Sequence, residues 1–138
     1  MSLFNAIDIA ATSLDAQSIR LNTISSNLAN ANAVSSSEDQ TYRARYPVFQ
    51  TLVDDAVGAY GAAAGVHVTG IQLSEQPARR EFAPAHPLAS DEGFIFRPAV
   101  NSVQEVANMT EASRAYQDSI EAMNTVKQLI LRTLTLGR

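Results

Sequence analysis

The sequence lacks cysteine and tryptophan, and it holds only two histidines among its 138 residues. Without thiols, the chain can form neither disulfide bonds nor thiolate metal sites. The histidines, His67 and His86, have no second histidine at the spacing that metal ligands on one element adopt. We therefore expect both to be ordinary structural or surface residues, and we expect no metal ion and no cofactor.

Positive charge and long apolar runs are also scarce. The net charge is −4 and the sequence pI is near 5.0, which argues against the basic face of a nucleic-acid-binding protein. No run of about 18 apolar residues is present, so the sequence predicts no membrane span. The opening residues Met1–Asn5 lack the basic region of a cleaved secretory signal, so any export is expected to need no such signal.

Groups arranged for catalysis are missing as well. Adjacent carboxylates on one loop are usually solvated charge, whereas a glycosidase needs two carboxylates held across a cleft. The glycines between Gly58 and Gly70 lack the Gly-Lys-Ser/Thr ending of a phosphate-binding loop. The sequence thus predicts that the protein is not an enzyme. The acidic doublets that lie in or near predicted loops are Glu38-Asp39, Asp54-Asp55 and Asp91-Glu92.

Residues that break helices are confined to the middle of the chain. All five prolines lie between Pro47 and Pro98, and every glycine except Gly137 lies between Gly58 and Gly93. Both ends are therefore free to form long helices. The predicted organisation is an N-terminal helix in residues 1–34, a β and loop region in residues 35–100, and a C-terminal helix in residues 101–138. We expect the two helices to pack as one discontinuous inner domain.

Apolar residues recur at helical spacing in both ends, a pattern typical of a helix packed on another helix. The predicted fold class is mainly α, with the N- and C-terminal helices paired as a coiled coil and a small β-hairpin or loop region inserted between them. The N-terminal stripe holds Ile7, Leu14, Leu21, Ile24 and Leu28, and the C-terminal stripe holds Met109, Ser113, Tyr116, Ile120, Met123, Ile130 and Leu134.

The N-terminal helix has very few charges. Between Met1 and Ser37 the only charged side chains are Asp8, Asp15 and Arg20, and no two opposite charges stand three or four residues apart. An exposed helix normally carries such pairs, which stabilise it and keep it soluble. We therefore expect this helix to end up surrounded by protein, as part of an assembly.

Local signals predict where the elements begin and end. The first helix is expected from about Leu3 to about Asn32, and Ser102 with Glu105 forms a capping box that starts the second helix. A small-residue loop is expected from Ala56 to Gly65. Alternating apolar residues predict two short strands in the middle of the chain, Tyr42–Val48 and Val66–Thr69. The turn Asp91–Gly93 leads into a third, Phe94–Phe96.

Two asparagines near the end of the first helix are the most distinctive polar residues. Asn27 and Asn30 stand three apart on one helical face and flank Leu28. Buried asparagines fix register and partner choice because their amides must find specific hydrogen bonds. The alternative is a frayed helix end that happens to be rich in asparagine, and the residues alone leave both interpretations open.

The run Ser26–Asn30 resembles the N-terminal motif of the bacterial flagellar rod and hook proteins. Within that axial protein family, further segments are similar to the proximal rod proteins. The resemblance is dense at both ends and loose over residues 35–84. The segments that carry it are Met1–Phe4, Pro87–Ala89, Gly93-Phe94, Asn101–Glu105, Asn108-Met109, Ala112–Gln117, Asn124–Lys127 and Thr133–Gly137.

The resemblance implies a structural component of the flagellar basal-body rod that polymerises through its terminal helices into the proximal part of the drive shaft. Implied partners are other rod proteins, the membrane ring at the rod base, further copies of the chain, and the flagellar type III export apparatus during secretion. The implied location is the rod in the periplasmic space, reached without a cleaved signal peptide. Assembly is then expected to rest on the two apolar stripes and on Asn27 and Asn30.

Two other functions belong to different classes. A soluble helical adaptor or flagellar export chaperone also has amphipathic terminal helices, and it would fold stably as a small dimer without the rod. An enzyme that acts on the cell wall would need a pair of carboxylates in a folded cleft, and the sequence shows no such pair.

Overall fold

A computed structural model of the chain describes residues 3–53 and 63–136. Along the sequence, a long helix is followed by four strands and then by a second long helix. The strands form two separate two-stranded antiparallel sheets, in which β1 pairs with β2 and β3 pairs with β4. The elements are α1 (Leu3–Asn30), β1 (Arg45–Val53), β2 (Ala63–Leu73), β3 (Arg79–Phe82), β4 (Phe94–Arg97) and α2 (Ser102–Leu136).

The predicted fold class is wrong in two respects. The middle region contains two sheets instead of one small hairpin or loop, and the helices are not shown to form a coiled coil. A coiled coil buries large side chains at the seam. In α1, however, Ile7, Leu14 and Leu21 are only half-buried. The buried side chains of α1 are mostly small or polar: Ala10, Ala16, Thr23, Ile24 and Asn27.

The second helix begins as expected at Ser102, but a different residue caps it. The side-chain Oδ1 of Asn101 accepts hydrogen bonds from the backbone N–H of Val103, at 3.1 Å, and of Gln104, at 3.3 Å. Asparagine is among the most favourable N-cap residues, so it satisfies these free amides well. The predicted capping box of Ser102 and Glu105 is therefore wrong, and the carboxylate of Glu105 is left available for other partners.

The strand that sequence analysis missed is β3. Its residues, Arg79–Phe82, pair antiparallel with β4, so that Phe82 lies opposite Phe94 and Glu81 lies opposite Ile95. The Phe82 and Phe94 rings meet edge to face with centroids 5.2 Å apart. Three charged residues in a four-residue strand hide the apolar alternation on which strand prediction depends.

Strand β2 begins earlier than predicted, inside the expected loop from Ala56 to Gly65. Residues 56–62 of that loop lie outside the described residues, and strand structure begins at Ala63. Gly65 has a φ of +148°, and a Cβ at this position would lie 2.5 Å from the Thr12 hydroxyl oxygen. The same hydroxyl accepts a hydrogen bond from the Val66 N–H at 3.3 Å. Glycine is thus required because the strand passes very close to α1.

The chain divides into two compact units, and each contains parts of both helices. The first unit comprises Met1–Leu21, Pro47–Gly70 and Glu111–Arg138, and the second comprises Asn22–Tyr46 and Ile71–Thr110. In the second unit Ala31, Ala44 and Val100 form a buried apolar cluster against which Tyr42 packs. The predicted division at residues 34 and 100 stays a prediction.

Candidate assembly site

A buried polar cluster surrounds Asn27 in the second unit. The Asn27 Nδ2 donates to the carbonyl oxygen of Arg45 at 2.9 Å and to Oε2 of Glu105 at 3.1 Å. Its Oδ1 accepts from the Arg45 backbone N–H at 2.8 Å and from the Tyr42 hydroxyl at 2.9 Å. Two donors and two acceptor positions are all that an amide side chain offers, so Asn27 is fully satisfied. We call Asn27, Tyr42, Glu105 and the Arg45 backbone the Asn27 cluster.

Glu105 brings a carboxylate into this cluster although it lies on the other helix. Glu105 is only 3 % exposed, and its Oε1 accepts a second hydrogen bond, from Asn108 Nδ2 at 3.4 Å. Burial raises the pKa of Tyr46 above its ordinary value of 10.0, and the nearby Glu105 carboxylate and Tyr42 raise it further. Ionisation of the Tyr46 phenol would place a second negative charge near the Glu105 carboxylate, which is unfavourable and raises the pKa of Tyr46.

In the first unit the two helices meet through small polar side chains. The Ser13 and Ser119 hydroxyl oxygens are 3.0 Å apart and share a hydrogen bond. An ion pair joins Arg20 to Glu111 at 3.6 Å, but the Glu111 side chain is 70 % exposed. Solvent-exposed pairs of this kind contribute little stability. The close approach at the serines, where no large side chain intervenes, is therefore the more informative contact.

Beside the two serines lies an open, mostly apolar groove between α1 and α2. Its volume is about 470 Å³. Small side chains leave it unfilled, and among the described residues that line it Asp118 is the only charged one. We call this surface the groove. It is lined by Ala6, Ile9, Ala10 and Ser13 from α1 and by Asp118, Ser119, Ala122 and Val126 from α2.

The remaining length of α2 exposes large apolar side chains to solvent. From Ser113 to Thr135 no residue is buried. Ile120, Leu131 and Leu134 are 39 %, 54 % and 65 % exposed. Together with Lys127 they follow one face of the helix, because the spacings of seven, four and three residues keep them aligned. We call Ile120, Lys127, Leu131 and Leu134 the ridge.

The residues that sequence analysis assigned to assembly are distributed over all levels of burial. Ile24 and Asn27 are buried, whereas Ile120 and Leu134 are exposed. Asn30 donates from Nδ2 to the Ser26 carbonyl oxygen, one turn earlier in the same helix, at 2.8 Å. Their assignment to assembly stays a prediction. The half-buried members are Ile7, Leu14, Leu21, Leu28, Asn30, Met109, Ser113, Tyr116, Met123 and Ile130.

Sequence reasoning missed several residues that define these surfaces. Glu105 was assigned to a cap, and Ser13 and Ser119 fall between the apolar positions of each stripe. The available signal was the frequency of small residues, since Ala6, Ala10 and Ser13 recur at helical spacing on α1. A pattern search that scores only large apolar residues passes over such a face.

Within residues 3–53 and 63–136, no group of three or more histidine or acidic side chains is placed to hold a metal ion. Over the same residues, neither helix is long and apolar enough to cross a membrane.

Two protein-family models match the chain, and each match contains most or all of one helix. The model described as flagella basal body rod protein matches residues 7–35, which include nearly all of α1. The model described as flagellar basal body rod FlgEFG protein C-terminal matches residues 91–136, which include β4 and α2. The matched segments therefore contain every ridge residue and every named groove residue except Ala6.

Three relatives with the same name match this chain over 98–100 % of their own length. The flagellar basal-body rod protein FlgC of Salmonella typhimurium is 46 % identical over 138 residues, covering all of both chains. The protein of the same name from Yersinia enterocolitica is 43 % identical, again over all of both chains. That of Borreliella burgdorferi is 30 % identical over 149 aligned positions, with 99 % of this chain and 98 % of the relative covered. The chain therefore belongs to the FlgC family of flagellar basal-body rod proteins and is a structural component of the rod, not an enzyme.

Proposed function

We propose that this chain polymerises into the proximal part of the rod through its two terminal helices. The observation that carries the proposal is the exposure of the ridge, where Leu131 and Leu134 are more than half exposed. Burying a leucine side chain contributes about 1.5–3 kcal/mol, so such a surface gains considerably when a partner covers it. The family matches also support a role for these two helices, because the matched residues, 7–35 and 91–136, contain most of α1 and all of α2.

The proposed partners are other rod proteins, the membrane ring at the rod base and further copies of the chain. Membership of a rod family supports assembly with other rod components. We further propose that the flagellar type III export apparatus delivers the chain to the periplasmic part of the basal body without a cleaved signal peptide. The resemblance to exported axial proteins supports this route.

The proposal is tested by placing a charge on the ridge. In a motile host whose own homologous rod gene is deleted, the variant Leu134→Asp should be absent from purified basal bodies, and the cells should not swim. Burying an unpaired carboxylate costs several kcal/mol, which is enough to prevent docking. Because Leu134 is exposed in the single chain, the purified variant should keep the helicity and melting temperature of the unmodified protein.

Gln128→Asp serves as the matched control, since Gln128 is an exposed polar residue of the same helix. It adds the same charge without replacing an apolar side chain, and basal bodies should retain it. The periplasmic extract should contain both variants, which separates assembly from export. Recovery of Leu134→Asp in basal bodies at the level of the unmodified chain would show that the ridge carries no assembly contact.

A further inference from the structure

The groove and the ridge differ in shape and share one helix. The groove is lined by small side chains, including Ala6, Ala10 and Ala122, which leave about 470 Å³ unfilled. The ridge presents the branched side chains of Leu131 and Leu134. Large side chains that enter a surface of small ones give close packing between helices, because ridges of one helix fit grooves of its neighbour.

The ridge of one chain cannot fill the groove of that same chain. At 3.6 residues per turn, the groove residues Ser119, Ala122 and Val126 and the ridge residues of α2 point about a third of a turn apart around the helix. The ridge and the α2 side of the groove lie on the same α-helix, so no local movement brings the ridge into the groove. A second molecule must supply the partner for each.

The two surfaces also carry opposite charges. Asp118 lines the groove and Lys127 lies on the ridge, and within the described residues neither forms an ion pair. The other charges of α2 follow the same division between an acidic and a basic part. Between Glu111 and Glu121 the helix carries three acidic residues and one basic residue, whereas from Ala122 to Leu136 its only charges are Lys127 and Arg132. A second copy of this chain therefore offers large side chains that can fill the groove and a positive charge that can pair with Asp118.

We propose that the ridge of one copy docks into the groove of the next copy. This proposal rests on the proposed function. It specifies a second copy as the partner of the terminal helices and identifies the two surfaces that meet. The two surfaces are different, so the contact is heterologous, and a docked pair leaves one groove and one ridge free. Repetition of such a contact gives a closed ring or an open helical array instead of an isolated dimer.

The absence of cysteine from the sequence permits a direct test with introduced disulfides. One copy carries Ala122→Cys in the groove and a second, differently tagged copy carries Leu131→Cys on the ridge. The two positions are nine residues apart, which corresponds to about 13.5 Å along the helix and is too far for a disulfide within one chain. After mild oxidation of basal bodies that contain both copies, we expect a mixed disulfide that joins the two tags.

Each single-cysteine variant, expressed alone, is the control and should give no cross-linked dimer. A mixed disulfide confirms the proposal. Its absence from basal bodies that contain both variants overturns it, and so does a dimer formed by Ala122→Cys alone, which would indicate a symmetric contact. If Leu134→Asp is absent from basal bodies but the two cysteine variants form no mixed disulfide, the proposed function stands and only this choice of partner is refuted.

An exchange of charges decides the matter if the cysteine variants do not enter basal bodies. Asp118→Lys should reduce incorporation at least tenfold because it places two positive charges at the docked contact. Addition of Lys127→Asp to the same chain should restore incorporation, since the reversed pair again attracts. Glu121→Lys is the matched control, because Glu121 is exposed and does not line the groove. A double variant no better incorporated than Asp118→Lys alone would overturn the proposal.

Discussion

The first three turns of α2 bury some of their side chains within the chain, whereas the rest of that helix leaves its side chains partly or fully exposed. Between Ser102 and Ala112, Glu105 and Ala112 are buried, and Glu105 has specific partners in the Asn27 cluster. Between Ser113 and Thr135 no residue is buried, and leucines face solvent. The comparison teaches that one continuous helix serves two purposes. Its beginning completes the fold of the chain, and its remainder is left for partners.

The largest expected effect on stability comes from breaking the Asn27 cluster. Asn27→Ala removes four hydrogen bonds and leaves the Arg45 backbone and the Glu105 carboxylate without these partners. We expect the free energy of unfolding to fall by roughly 3 kcal/mol, because each buried polar group left unpaired costs about 1–3 kcal/mol. Urea unfolding of the purified chain, followed by circular dichroism, measures the change.

Asn22→Ala is the matched control for this experiment. Asn22 is an exposed asparagine of the same helix, so its removal should change the free energy of unfolding by less than about 0.5 kcal/mol. Equal effects of the two substitutions would show that the hydrogen bonds of Asn27 contribute nothing beyond helix propensity.

A smaller effect should distinguish the two parts of α2 directly. Ala112 has no exposed surface, so Ala112→Leu overpacks its surroundings and should destabilise the chain by about 1–3 kcal/mol. Ala122→Leu makes the same change ten residues later, where the side chain is exposed and faces the groove. It should leave the melting temperature almost unchanged. Equal melting temperatures for the two variants would contradict the division of α2 into a buried and an open part.

The smallest expected effect concerns the pH range in which Tyr46 titrates. Its pKa is raised above 10.0 in the folded chain, first by burial and then by the Glu105 carboxylate and Tyr42. A folded-state pKa above the unfolded one contributes stability below pH 10.0, and that contribution is lost as the pH rises through the folded pKa. Glu105→Gln should lower the Tyr46 pKa towards its ordinary value, as followed by the NMR shift of the ring.

Tyr46→Phe provides the matching stability measurement. The variant should lose less stability than the unmodified chain between neutral and strongly alkaline pH, because the group that titrates is gone. An identical loss in both chains would show that Tyr46 has no part in the alkaline dependence.

The sequence allowed the two long helices to be predicted because proline and glycine are confined to the middle of the chain. It also indicated rod-family membership through the run Ser26–Asn30, and the relatives confirm that membership. The predicted coiled coil of the two terminal helices was wrong. Spacing shows that Ile7, Leu14 and Leu21 share a face, but it does not show how deeply a neighbour covers them, and they are only half-buried.

The Asn27 cluster illustrates what sequence patterns leave out. Asn27 is distinctive in the sequence, yet its partners Tyr42 and Glu105 lie 15 and 78 residues further along the chain. No local pattern connects residues at such separations. Strand β3 was missed for a different reason, since Arg79, Arg80 and Glu81 disguise a strand that is held by backbone pairing with β4.

The buried alanines of the helices have a mechanical consequence. Ala10, Ala16 and Ala112 have no side-chain torsion angles, so their contacts cannot yield through rotamer changes when a load is applied. Close-packed interiors also have low compressibility. A rod transmits torque, and we expect helices held by such short, inflexible side chains to twist less under load than helices joined by long ones.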